Sequence, residues 1–98
     1  MREVRVSEIV WQRLDELTDY MIDNFRLSED AAMRRIDRFS EFILTLGSPV
    51  NHSICRFKRW RERGYRCVVF EKNWVLAYET FDDGIIVHDM SHTSMLSV

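Results

Sequence analysis

Little in this chain stiffens or breaks the backbone: its 98 residues include one proline and three glycines. The few breaks they make are therefore informative. The two cysteines, Cys55 and Cys67, are too few for a disulfide framework and do not form a CxxC pair. In a reducing compartment they read as two thiols, at least one of them buried, with a disulfide or redox pair as the alternative. No apolar run is long enough to span a membrane. The start, MREVRVSE, lacks the apolar centre of a signal peptide. The expectation is a cytoplasmic protein with no membrane partner. A glycine-rich phosphate loop, a serine nucleophile elbow and an HExxH pattern are all missing, and nothing calls for a cofactor.

What is present is globular in kind. Hydrophobic residues make up 46% of the chain and charged residues 31%, which excludes a disordered protein. Six Phe, three Trp and three Tyr supply bulk for a packed interior. The length suits one domain, residues 1–98, built on one core. The net charge of -2 gives no global reason to bind nucleic acid. That sum hides an uneven distribution. Residues 56–66, RFKRWRERGYR, hold six basic residues and one acid, so the segment is +5 and the remainder -7.

Periodicity places the elements. Val4 and Val6 share one face of a short N-terminal edge strand over residues 3–6. Ser7 is placed to cap a helix, with Glu8 complementing the dipole. Val10, Leu14, Leu17, Met21 and Phe25 then recur at helical spacing. Ser28 caps a second helix, and Ala32, Ile36, Phe39, Ile43 and Leu46 form its stripe. Gly47 stands at the usual left-handed stop and Pro49 forbids continuation. So short a link between two helices predicts an antiparallel hairpin. Residues 47–64 show no clear period. Three β-rich runs follow, at 65–70, 74–81 and 85–90. Glu71-Lys72-Asn73 joins the first two, and Asp82-Asp83-Gly84, rich in residues that tolerate positive φ, joins the last two. The predicted fold class is α+β: a short strand, a helix hairpin, and a three-stranded antiparallel meander packed against the helices.

Few residues point to chemistry. His88 and His92 are four apart, but on a strand that spacing separates them by about 13 Å, too far to share a metal ion. No metal site is expected. His52 reads as a solvated loop residue, and the turn accounts for Asp82 and Asp83. The basic stretch is the strongest feature. Phe57, Trp60 and Tyr65 alternate with its cations, as on surfaces that neutralise phosphates and stack on bases. The same composition suits an acidic protein partner, because Arg, Trp and Tyr dominate interface hot spots. A merely solvated charged face is the plain alternative.

The element order, together with the run GYRCVVFEKNWVLAYETFDDGIIVHDMSH, resembles the RelE/ParE superfamily of toxin–antitoxin toxins. Tyr65-Arg66 matches the aromatic-basic pair that opens a strand in that family. Trp74 and Tyr78 match the two aromatics of the next strand, Asp82-Asp83 the acidic turn, and His92 a position where many ParE-like members carry His. No gap is needed between Tyr65 and His92.

The resemblance also has departures. In the nuclease branch a cluster of cations stabilises the transition state. Arg66 keeps the first, but the others fall on Val68, Val75 and Met95. Losing one preorganised donor costs ~3 kcal/mol of transition-state stabilisation, so three such losses leave little catalysis. Arg66 and His92 stay as the candidate catalytic residues. The resemblance therefore implies a ParE-like, non-nuclease toxin with a cognate antitoxin and DNA gyrase as its target. The alternatives are a RelE-like ribosome-dependent mRNA endonuclease acting through RNA contacts, and a non-toxic interaction module of the same fold. The partner-binding candidates are Arg56, Lys58, Arg59, Trp60, Arg61, Arg63, Arg66, Val68 and Val75.

Two structural expectations follow. The core comprises Val10, Leu14, Leu17, Met21, Ile36, Phe39, Ile43, Val69, Leu76, Tyr78 and Ile85. If the helices cover Tyr65, Cys67 and Val69, then Arg66, Val68 and Phe70 lie on an open face with Val75, forming an apolar patch rimmed by arginines.

Overall fold

The apolar stripe of the first helix turns inward as its spacing requires. In this computed structural model, which describes residues 3–47 and 52–96, α1 spans Glu8–Phe25 and buries Val10, Leu14, Leu17 and Met21. Its cap differs from expectation. Ser7 makes no side-chain cap bond; its hydroxyl donates to the His88 carbonyl at 2.8 Å and ties the helix start to the sheet. At the other end Arg26 adopts φ 52° and donates its backbone N–H to Met21 O. The second helix, α2, spans Glu29–Thr45 and is capped as expected, with Ser28 Oγ accepting from the Ala31 N–H at 3.1 Å. It buries Ala32, Phe39 and Ile43, while Ile36 is half-buried. The helix ends at Leu46 in the right-handed region, φ -67° and ψ -11°, and Pro49 lies outside the described residues.

Preceding α1 is β1 (Glu3–Val6). A short helix, α3 (Lys58–Arg61), forms within the segment that showed no period. Then come β2 (Arg66–Phe70), β3 (Trp74–Thr80) and β4 (Gly84–His92), ending in a 3-10 turn at Thr93–Met95. The last three strands form the expected antiparallel meander. β1 joins it beside β4 and runs parallel, so the sheet is mixed, in the order β1-β4-β3-β2. Gly84 permits that junction: a Cβ there would lie 2.6 Å from the Glu3 carbonyl oxygen. The turn at Asp82 and Asp83 uses no positive φ. Glu71 (φ 50°) and Lys72 (φ 70°) do so instead.

The sheet carries a core on each face. One face packs Val68, Leu76, Tyr78, Ile85, Val87 and Met90 against the buried stripes of α1 and α2. The other packs Val75 and Ala77 against Cys55, Phe57 and Trp60. A bulge keeps β4 in phase with the helices. Ala77 pairs with Asp89 but Tyr78 pairs with Val87, leaving His88 as the extra residue. Odd-numbered Ile85 and Val87 therefore share the helix face with even-numbered Met90.

The expected face of β2 was inverted. Val68 is buried against the helix side and Val69 is 56% exposed. Because side chains alternate, a one-residue choice moves the whole strand. The other ten expected core positions are buried or, for Ile36, half-buried.

Candidate partner-binding lobe

Phe57 and Trp60 decide the shape of the basic segment. Both are buried, at 7% and 3% exposure, against Val75 and Ala77. Between them the chain closes one helical turn: Arg61 N–H donates to Phe57 O at 2.8 Å and Tyr65 N–H to Trp60 O at 3.1 Å. Gly64, at φ 74°, turns the chain back into β2, a conformation that costs glycine little. At the start of the lobe, Cys67 N–H donates to Ser53 O at 3.1 Å and Cys55 N–H to Tyr65 O at 2.8 Å. Cys55 and Cys67 are joined by a disulfide, with Cα atoms 4.8 Å apart. The thiol reading is thus replaced by its alternative. Twelve residues of separation gave no hint that the lobe folds back onto β2.

This anchoring leaves Arg56, Lys58, Arg59, Arg61 and Arg63 all exposed. Among the described residues none of the five joins an ion pair; the pairs formed by Arg5, Arg13, Arg35, Arg38 and His88 lie elsewhere. Arg56 and Arg59 sit over the rings of Phe57 and Trp60, 5.3 and 5.0 Å from their centroids. The aromatic residues are therefore the floor beneath the cations, not exposed stacking platforms. Trp60 is unavailable as a hot spot in this arrangement.

Arg66 stands apart from the lobe. It pairs with Tyr78 across the strands, so it projects to the helix side of the sheet. There its Nη1 donates to the His52 carbonyl at 2.6 Å. Tyr78, fully buried, takes the His52 N–H at 2.8 Å, and its hydroxyl lies 2.8 Å from His52 Nδ1. His52 is therefore a fixed residue and not a solvated one. Sequence offered no sign of it, because its partners lie 14 and 26 positions away.

The expected apolar open face does not form. Val68 is 8% exposed on the helix side, and Val75 is 1% exposed beneath the lobe. The two lie on opposite faces, each already covered by this chain. Nor are the candidate catalytic residues brought together. Arg66 pairs with Tyr78 and His92 with Trp74, four residues further along β3 and so about 13 Å away. His92 instead packs edge-on against Trp74 and bonds Ser94 Oγ at 2.8 Å. Met95 is 75% exposed. Sequence reasoning also missed the stack of Tyr65 on His88, with rings 4.4 Å apart and 7° from parallel. Glu79 holds that histidine at 2.9 Å. Only the bulge at His88 brings it there. Among the described residues no group of three or more metal-ligating side chains assembles, and no helix is long and apolar enough to cross a membrane.

No protein-family model and no curated protein matches the chain. Solved structures do. A chain of a chromosomal ParDE TA system from P. aeruginosa superposes with a TM-score of 0.76 at 11% identity, covering 94% of this chain and 96% of that one. YafQ from E. coli strain BL21(DE3) gives 0.58 at 15% identity, covering 97% of each chain. HP0894 from Helicobacter pylori, a conserved hypothetical protein, gives 0.56 at 19% identity, covering 96% and 97%. The likeness spans nearly the whole of every chain, and the fold of this protein is the RelE/ParE-type fold.

Proposed function

We propose that this chain is the toxin of a type II toxin–antitoxin module, ParE-like in kind, held inactive by an acidic antitoxin segment and acting on DNA gyrase. The burial of Val68 and Val75 carries the reading. Both stand where the nuclease branch places cations, and both side chains fill cores of this protein. A phosphodiester in flight would find no such cluster here, and Arg66 alone is a poor substitute. The likeness to a ParDE system supports the same side of the family, with a TM-score of 0.76 against 0.58 for YafQ. An antitoxin partner is supported by the exposed cations at Arg56, Lys58, Arg59, Arg61 and Arg63, none in an ion pair among the described residues, which suit a segment rich in Asp and Glu. The partner contact once expected at Val68, Val75 and Trp60 gives way to this cationic surface.

Three measurements, one in cells and two on the purified protein, test the reading. Induction without an antitoxin should arrest growth with a DNA-damage response. Gyrase supercoiling should fall as protein is added. Primer extension on translating ribosomes should show no new cuts. Cleavage that Arg66→Ala abolishes would overturn the proposal in favour of the RelE-like endonuclease. A stable partner complex with neither growth arrest nor cleavage would favour a non-toxic interaction module.

A further inference from the structure

We propose that the Cys55–Cys67 disulfide is a reversible switch that sets whether the basic lobe is docked on the sheet and able to bind an acidic partner. The partner half of this statement rests on the reading above; the docking half does not.

The case begins with how little else holds the lobe. Among the described residues, its apolar contact with the sheet is a cluster of five buried residues, Cys55, Phe57, Trp60, Val75 and Ala77, with Tyr65, Cys67 and Leu96 partly buried against it and Tyr65 stacked on His88. The helix-side cluster has fourteen. Of the backbone bonds, Cys67 N–H to Ser53 O and Cys55 N–H to Tyr65 O together make one isolated bridge, pairing Ile54 with Arg66, and the Arg66 side chain donates to the His52 carbonyl beside it. Against these stand five exposed cations crowded on one short segment, none of them in an ion pair among the described residues, and their mutual repulsion favours release. The disulfide is the single covalent link between the lobe and β2 apart from the chain itself. A link that closes a loop of this size shifts the docking equilibrium by about a hundredfold on loop entropy.

The bond is also placed for exchange. Cys55 is 2% exposed, but Cys67 is only partly buried, so attack falls on the Cys67 sulfur. The positive charge of the lobe attracts an anionic thiol to it. The reductant is a thiol of the glutathione class. Its thiolate attacks Cys67 Sγ, the disulfide breaks, and Cys55 leaves as a thiolate. A second thiolate attacks the outer sulfur of the mixed disulfide and frees Cys67. Two electrons pass to the protein, the two new thiolates take up two protons, and the reductant departs as its own disulfide.

Amide hydrogen exchange on the full chain, oxidised and then reduced with glutathione, tests the docking half. The expected result is that residues 53–65 exchange about ten- to a hundredfold faster when reduced, while α1 and β3 keep their protection. A polyglutamate peptide tests the partner half: its affinity should fall severalfold on reduction and return with oxidised glutathione. The Cys55→Ala/Cys67→Ala variant should match the reduced protein in both readouts. Unchanged exchange in the lobe overturns the proposal. So does global unfolding on reduction, which would make the bond a plain staple, and so does resistance of the bond to glutathione. A loosened lobe with unchanged peptide affinity overturns the switch while leaving the toxin reading untouched. Conversely, a protein that fails to arrest growth would alter neither exchange nor peptide affinity.

Discussion

The two faces of this sheet are covered by different means. On one face α1 and α2 lay long apolar stripes on three strands, and Tyr78, Phe39, Leu14 and Ile43 are almost fully buried. On the other, a lobe built on a four-residue helix covers Val75 and Ala77 with two aromatic rings and a disulfide. The first face has the larger apolar core; the second adds a cross-link to a smaller one and carries its charge outward. The difference teaches where function can reside. A region with a thin core can be altered, moved or covered by a partner at small cost to the fold, whereas the thick core cannot. Charge follows the same division. α1 turns Asp15, Glu16, Asp19 and Asp23 to solvent, and the lobe turns out five cations, so the molecule is electrically two-sided.

The largest effect should come from the thick core. Phe39 is fully buried and its ring meets those of Phe70 and Trp74, at 4.4 and 6.0 Å between centroids. Phe39→Ala should cost about 3–5 kcal/mol in denaturant unfolding. A cost near that of a surface substitution would show that the helix face is not the principal core.

Next in size is the register of β2. Val68→Thr places a hydroxyl in the helix-side core and should cost about 1–3 kcal/mol. Val69→Thr, on an exposed position, should change stability by less than about 0.5 kcal/mol. The reverse order would restore the open apolar face at Val68 and undo the comparison between the faces.

The lobe should respond in rate more than in stability. Replacing Arg59, Arg61 and Arg63 together with Glu should slow association with a polyglutamate peptide by about tenfold or more at low salt. The salt dependence should weaken as well. Unfolding should move little, because these side chains make no ion pairs among the described residues. Stopped-flow mixing at two ionic strengths reads both quantities. An unchanged association rate would remove the lobe as the binding surface.

How much of this was legible follows from what sequence spacing encodes. Helices α1 and α2 announced themselves because Val10, Leu14, Leu17 and Met21, and Ala32, Phe39 and Ile43, repeat every three to four residues over many turns. The meander showed through its β-rich runs and its turns. The faces did not, because RCVVF sets apolar side chains on both sides of the strand, Val68 on one and the exposed Val69 on the other. Alternation cannot choose a side when both sides are apolar. The parallel docking of β1, the disulfide and the Arg66–His52–Tyr78 contacts are all long-range, and no local pattern carries them. The candidate site was half legible. The charge of the lobe is written in its composition, but the burial of Trp60 depends on a fold-back that composition cannot express.

The two hairpin turns give the smallest test of local rules against tertiary demands. Asp82-Asp83-Gly84 looks like the turn that needs positive φ, and Glu71-Lys72-Asn73 does not. The structure reverses them. Glu71 and Lys72 both take left-handed conformations, which for residues with a Cβ cost on the order of 1–2 kcal/mol each. Glu71 has a reason to remain: its carboxylate meets Arg35 at 2.9 Å and Arg38 at 3.6 Å, tying the β2–β3 turn to α2. Lys72 is exposed and joins no ion pair among the described residues. Lys72→Gly should therefore relieve the strain without loss of contact. Part of that gain is offset because glycine also loosens the unfolded chain. A net stabilisation of about 0.5–1 kcal/mol is expected, seen as a higher denaturation midpoint with an unchanged slope. At Gly84 the same reasoning forbids the reverse change, since the Glu3 carbonyl leaves no room for a Cβ. If Lys72→Gly destabilised the protein, the turn would not be strained at that residue. The sequence-level preference for Asp82-Asp83-Gly84 would then be the better guide to where this sheet bends.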